Sequence, residues 1–289
     1  MNDNNNDLIK TFLNIIPIKE PNNSLYSLDL SKNIISLYSP EKNKQDFELD
    51  KIFTNKDENS YIYETICLNT VKECIKGISY SFISFGETIN NKIEFLIGDV
   101  VKNYKNINYY GIFIRFLDNL LKKKDSKEFD YTIKFSNFLI LDNNLIDLTH
   151  YGNKKKENYE IDINTFLSNA FIIKNDSNII NNMNKIDITI INDMIKYLHH
   201  TIDFLYKLDR NIYSKSNICF IIYLINETTN KTISTISFIS LSGSENLYAD
   251  QIKRANNQKI LNNKNKNDIE ATKFSLETRF NYDSIINCF

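Results

Sequence analysis

The stretch Ser84-Phe85-Gly86-Glu87-Thr88-Ile89-Asn90-Asn91-Lys92-Ile93-Glu94-Phe95-Leu96-Ile97-Gly98 decides how this chain is read. Gly86 and Lys92 have the spacing of the loop G-x-x-x-x-G-K-[ST], in which backbone amides and a lysine cradle phosphate oxygens. Asn91 takes the place of the second glycine, and Ile93 that of the magnesium-binding hydroxyl. Asn90 and Asn91 are the least costly non-glycine residues for a left-handed turn, so the loop shape tolerates them. The flanks suit such a loop. Ser79 to Phe85 (SYSFISF) is an apolar run fit for a buried strand. Upstream, Tyr63, Ile66, Cys67, Val71, Cys74 and Ile75 recur at helical spacing, with Asn59 or Ser60 as N-cap and Gly77 as C-terminal stop.

Further along, Ile112, Phe113, Phe116, Leu117, Leu120 and Leu121 make an amphipathic helix whose closing lysine run, 122–124, suits its C-terminal dipole. Phe129 to Leu141 reads as a long strand, and Ile188 to Leu208 as a helix with Ile191, Ile195, Leu198, Ile202 and Leu205 on one stripe. Ile218 to Asn226 and Thr232 to Leu241 form a strand pair joined by Glu227 to Lys231. Buried strands interleaved with long helices argue for an α/β layered fold: a central sheet of about six to eight strands with helices on both faces.

Read outward from Gly86, the sequence resembles the kinesin motor domain family, whose strand and loop run roughly as aYGQTgsGKTyTMxG. Upstream, FELDKIF (Phe47 to Phe53) resembles FxFDxVF. Tyr63, Glu64, Val71, Ile75 and Gly77 follow the family's next helix. Downstream, GIFIRFLDNLL (Gly111 to Leu121) resembles GIIPRaledLF, and Ser136, Ile140, Leu145, Asp147 and Leu148 fall on SYLEIYNExvxDLL. RNIYSKSN (Arg210 to Asn217) lies over switch I, NxxSSRSH, and SLSGSE (Ser240 to Glu245) over switch II, DLAGSE. Pro17 sits where RxRP would place it. Five of the chain's 6 glycines, Gly77, Gly86, Gly98, Gly111 and Gly243, coincide with family glycines, and only Gly152 does not. In a composition so poor in glycine, those positions mark backbone conformations or close approaches that a side chain would disturb.

The resemblance implies a P-loop NTPase-like, kinesin motor-like fold. Its nucleotide-binding residues would be Gly86, Glu87, Thr88, Asn90, Asn91, Lys92 and Ile93. Switch I would hold Ser214, Lys215 and Ser216, and switch II Ser240, Gly243 and Glu245. Several positions depart from the pattern. Ile93 replaces a hydroxyl, Ser240 an aspartate, Lys215 an arginine, Asn217 a histidine, and Asn14 the arginine that would pack on adenine. The expectation is weak ATP or ADP binding, doubtful Mg2+ binding, a Lys215 to Glu245 pair with looser closure than arginine gives, and no confident catalytic residue or metal ligand. The implied protein is cytoplasmic and cytoskeleton-associated: a non-motile binding or regulatory subunit with a degenerate nucleotide site, paired with an active kinesin chain. The alternative is an active ATP-dependent microtubule motor with drifted motifs. Ser275 and Leu276 resemble the start of the helix carrying the main tubulin contacts, so that contact surface is expected to be incomplete.

Composition sets the outer bounds. The 289 residues carry 35 basic and 36 acidic side chains, net -1, so no global field draws the chain onto nucleic acid or an anionic membrane. No run approaches the roughly 18 apolar residues of a membrane span. The four cysteines, Cys67, Cys74, Cys219 and Cys288, lack Cys-x-x-Cys spacing and read as reduced, mostly buried thiols. His199 and His200 read as surface or structural residues beside the long helix's apolar stripe and His150 as a turn residue, and no Ser/His/Asp or Cys/His constellation has a supporting flank. The lysine runs 122–124 and 154–156 read as solvated faces, with the acidic surface of tubulin as the other possible contact. Residues 1–11 read as a polar tail and 12–289 as one domain, incomplete at its C-terminus, with the Asn- and Lys-rich stretch 255–268 as a disordered loop.

Overall fold

The computed structural model describes residues 9–15, 26–38, 44–86, 92–99, 106–126, 130–141, 144–149, 171–172, 183–207 and 215–243. The expected disordered stretch 255–268 lies outside them. The chain divides into two compact units, residues 1–62 and 63–289.

The first unit holds β1 (Phe12–Asn14), β2 (Tyr26–Asp29), β3 (Ile34–Tyr38), β4 (Lys44–Glu48) and β5 (Lys51–Phe53). β2, β3 and β4 form an antiparallel meander, and β1 pairs in parallel with β5. The β2–β3 turn is fixed by Asp29, whose Oδ1 accepts the N–H groups of Ser31 at 3.1 Å and Lys32 at 3.2 Å. Phe53, the last residue of the FELDKIF block, is fully buried.

Helix α1 (Asn59–Ile75) starts one residue earlier than its sequence suggests. Glu58 O accepts the Ile62 N–H at 3.0 Å, so Glu58 takes the capping position and Asn59 is already helical. The stop falls as expected. Ile78 N–H donates to Glu73 O at 3.1 Å and Gly77 N–H to Cys74 O at 3.0 Å, with Gly77 at φ 106. That bond pattern requires a left-handed residue after the last turn, which glycine adopts without a Cβ penalty.

β6 (Tyr80–Ser84), α2 (Lys92–Ile97), α3 (Ile112–Asp125), β7 (Tyr131–Leu141), β8 (Asn144–Asp147), β9 (Phe171–Ile172), β10 (Ile186–Asp187), α4 (Ile191–Lys207), β11 (Asn217–Asn226) and β12 (Thr232–Ser240) complete the described elements. The seven-stranded sheet runs β6-β12-β11-β7-β8-β9, with β10 also paired to β7. β6 and β12 are parallel, and the remaining pairs are antiparallel. The central strand β11 is buried at every position except Asn226, which explains its near-continuous apolar sequence ICFIIYLI.

Alternation along the strands separates two core layers. On one face, α3 sends Phe113 against Phe135, Phe220 and Phe238, and Phe116 against Phe82 and Phe238. α4 adds Tyr197, which packs edge-on to Phe135 at 5.7 Å and donates its buried hydroxyl to Asn137 Oδ1 at 2.6 Å. Desolvation pushes the Tyr197 phenol upward, so it stays a neutral donor. On the other face, Phe138, Ile140, Cys219, Ile221, Tyr223 and Ile239 form a second buried cluster with Met183. Helices were expected on both faces; among the described residues, α3 and α4 pack on the first.

Gly98 and Gly111 explain two of the chain's few glycines. They lie backbone to backbone: Gly111 N–H donates to Ile97 O at 3.0 Å, and Gly98 bridges to Tyr110. A Cβ on Gly98, which sits at φ 92, would stand 2.0 Å from Tyr109 O, and a Cβ on Gly111 would stand 2.5 Å from Leu96 O. Neither backbone neighbour can yield without moving a helix end. Gly111→Ala is therefore expected to cost about 1–3 kcal/mol through overpacking. Gly98→Ala should cost more, because the left-handed backbone adds about 1–2 kcal/mol. Urea titration of both variants checks this, and midpoints equal to that of the unaltered chain would contradict it.

Candidate functional site

The β6–β12 ladder, registered from Tyr80 with Ile236 to Ser84 with Ser240, brings the C-terminal ends of both strands to one edge of the sheet. Leu241 N–H donates to Ser84 O at 3.0 Å and carries the pairing one bond past β12. β11 runs the other way and begins at this same edge, with Ile218 opposite Ser240. Three loops thus emerge together: the one after β6, the one before β11 and the one after β12. In open α/β sheets, ligands occupy such a crevice outside the carboxyl ends of the strands.

A small cleft at this edge is lined, among the described residues, by Lys92, Ile93, Ser216, Ile218, Ser240, Leu241, Ser242 and Gly243. Lys92, Ile93, Ser216, Ser240 and Gly243 come from the three motifs assigned in the sequence, and the fold brings all three together. Gly86 opens the loop at φ 147. Glu87, Thr88, Asn90, Asn91, Ser214 and Glu245 lie outside the described residues, and so therefore does the Lys215 to Glu245 pair. Lys215 itself is half-buried.

Lys92 is the first residue of α2, yet it is not a solvated helix-start lysine. It is 8% exposed, and its Nζ donates to Gly86 O at 2.8 Å. A buried ammonium needs acceptors, and here the loop's own carbonyl supplies one. Ile93 beside it is also buried, so an alkyl side chain stands at the position after the lysine. Ser216, Ser240 and Ser242 are buried around the same cleft and bring three hydroxyls.

Asn217 ties two of the loops. Its Oδ1 accepts the Ser242 N–H at 2.7 Å, linking the start of β11 to the segment after β12, and its Nδ2 is buried without a hydrogen-bond partner among the described residues. Sequence reading placed Asn217 only as a replacement for histidine and gave it no role. The available signal was an amide opening a strand that is otherwise apolar. Ile218, Leu241 and Ser242 were also missed, because only the strand register shows that they reach the cleft.

The donor set fits one kind of group and not another. Lys92 and the serine hydroxyls can hold phosphate oxygens through charge-assisted and neutral hydrogen bonds. Magnesium seeks oxygen ligands, usually including a carboxylate. The described lining offers no carboxylate, and Ile93 contributes no oxygen. Among the described residues there is likewise no group of three or more His, Cys, Asp or Glu placed to hold a metal ion, and no helix long and apolar enough to cross a membrane.

Known proteins share this fold. Kinesin-like protein KIP1 of Saccharomyces cerevisiae is 25% identical over 118 residues, a match covering 38% of this chain and 11% of that protein. A solved structure of a fast kinesin, described with its ATPase mechanism and interactions with microtubules, superposes with a TM-score of 0.61 at 16% identity. That likeness covers 82% of this chain and 66% of the solved one, and at such identity it shows the fold alone. The chain therefore spans about a tenth of the curated relative's length and just under two thirds of the solved kinesin's. Residues 18–275 match the kinesin motor domain, and with the mixed sheet and converging loops described above, the chain belongs to that family.

Proposed function

We propose that this chain is a binding or regulatory kinesin-like protein of the cytoplasmic microtubule cytoskeleton, one that holds ADP or ATP weakly by its phosphates and hydrolyses ATP poorly. The family binds these nucleotides with magnesium and associates with microtubules. This reading concerns how one member departs from that pattern. The observation that carries it is the buried Ile93 beside Lys92, with Ser240 at the end of β12, in one cleft. Phosphoryl transfer at such loops relies on a metal that bridges the phosphates and neutralises developing charge. An alkyl group and a serine at the two positions that would support the metal leave that demand unmet.

The lysine run gives a tubulin contact no support. Of the lysine run at the end of α3, Lys122 pairs with Asp118 at 2.6 Å and Lys124 with Glu227 at 3.3 Å. These pairs favour the solvated-face reading of that run over a contact with tubulin. Turnover would then come from a second, active kinesin chain in the same assembly.

Calorimetric titration of the full chain with ADP, with and without magnesium, tests the proposal. The expected result is weak binding that changes by less than about twofold when magnesium is added. Ile93→Thr combined with Ser240→Asp should raise the magnesium dependence to about tenfold or more, equivalent to roughly 1.4 kcal/mol. Tight, magnesium-dependent binding by the unaltered chain would reject the proposal in favour of an active motor. A separate test addresses the loop tie. Asn217→Ala leaves the buried Ser242 N–H without its acceptor and should cost about 1–3 kcal/mol in a denaturation titration. An unchanged midpoint would show that the tie contributes nothing.

A further inference from the structure

Past the end of β12, the chain is held to its neighbours in alternation. Ser240 is still registered with Ile218 of β11. Leu241 turns to the other side and donates its N–H to Ser84 O of β6 at 3.0 Å. Ser242 turns back, and its N–H goes to Asn217 Oδ1 at 2.7 Å. Two backbones hold the segment first, and a side chain takes over where the ladder ends.

That third hold differs in kind. Asn217 is 0% exposed and stands outside the cleft lining, although its neighbours Ser216 and Ile218 belong to it. Strand alternation puts its side chain on the face of Cys219 and Ile221, away from that of Ile218. The tie to Ser242 is therefore made behind the cleft wall, away from water, where a hydrogen bond is electrostatically stronger.

Backbone N–H groups in succession are what such loops offer to phosphate oxygens. Here the N–H groups of Leu241 and Ser242 are both taken by acceptors of the chain itself. Loops that respond to nucleotide state are ordered by contacts to the terminal phosphate and its metal. A ligand moves such a loop only by the difference in its affinity for the two positions.

We infer that Asn217 is a positioning residue that fixes residues 240–242 as a static wall of the cleft, so that the site does not discriminate a triphosphate from a diphosphate. This rests on the phosphate-binding reading above and adds which nucleotide the cleft takes. With the segment held from both neighbours, Ser240 and Ser242 present the same lining to either ligand. A third phosphate gains no backbone donor from residues 241 and 242.

Hydrogen exchange at single-residue resolution tests this on the full chain alone, with ADP, and with a non-hydrolysable ATP analogue carrying a β,γ-imido bridge. Calorimetry supplies the two affinities. In the unaltered chain, the amides of Leu241 and Ser242 should exchange as slowly as those within β12 in all three samples, and the affinities should agree within about twofold. Asn217→Ala should speed exchange at Ser242 and leave Leu241 protected. It should also favour the analogue over ADP by about fivefold or more, because the Ser242 N–H, without its Asn217 acceptor, can turn to a charged oxygen. A role confined to stability would weaken both nucleotides alike, and an unchanged affinity ratio in a folded variant would overturn the inference. Should the variant fold poorly, the unaltered chain decides alone: exchange at Ser242 as fast as in an open loop, protection that appears only with one nucleotide, or a larger preference between the two would each contradict a static wall. If neither nucleotide binds, the phosphate-binding reading fails, while slow exchange at Ser242 in the free chain would still support the clamp.

Discussion

The parallel pairing of β6 with β12 is the constraint on which the cleft depends. Parallel strands end on the same side, so the loop leaving Ser84 and the loop leaving Ser240 emerge together, and the bond from Leu241 N–H to Ser84 O holds them in step. Antiparallel β11 then delivers Ser216 and Asn217 to the same edge from the opposite direction. A slip of one residue in the β6 register would turn Phe82 out of the aromatic layer it shares with Phe116 and Phe238. The packing of rings on one face thus fixes the position of polar groups at the strand ends.

Within that frame the cleft is a compromise between burial and charge. Lys92 and three serines are buried, and burial of polar groups is tolerated only where partners exist. The loop carbonyl of Gly86 answers the ammonium, and Asn217 answers the backbone of Ser242. Ile93 is compatible with this arrangement because an alkyl group needs no partner. The alkyl group that the lining accommodates without a partner is also the one that brings no oxygen to a metal.

How much of this was legible in the sequence depended on the physics of each element. α4 and β11 were readable because a stripe or an unbroken apolar run leaves one period to choose, and their observed bounds, Ile191–Lys207 and Asn217–Asn226, differ little from those expected. The start of α1 was misplaced because Glu58, outside the residue types that usually cap, takes the capping position ahead of Asn59 and Ser60. The importance of Gly98 and Gly111 came through resemblance, but their reason, backbone packed on backbone, has no local signature. The exposure of Ile83 and Phe85 was not readable either: an apolar run reads as buried, whereas among the described residues only β12 pairs with β6.

The central claim of the proposal is that the cleft holds phosphate without a carboxylate, or a hydroxyl after the loop lysine, to complete a metal shell. The most direct measurement uses Mn2+ in place of magnesium and follows the free aquo-ion signal by electron paramagnetic resonance. Mn2+ would be titrated into ADP alone and into ADP saturated with the full chain. The account predicts that the protein leaves the Mn2+ affinity of ADP nearly unchanged, because Ile93 brings no hydroxyl and Ser240 no carboxylate to the metal shell. Tenfold or tighter Mn2+ retention in the protein-bound sample would contradict it, showing that the chain completes a metal shell after all.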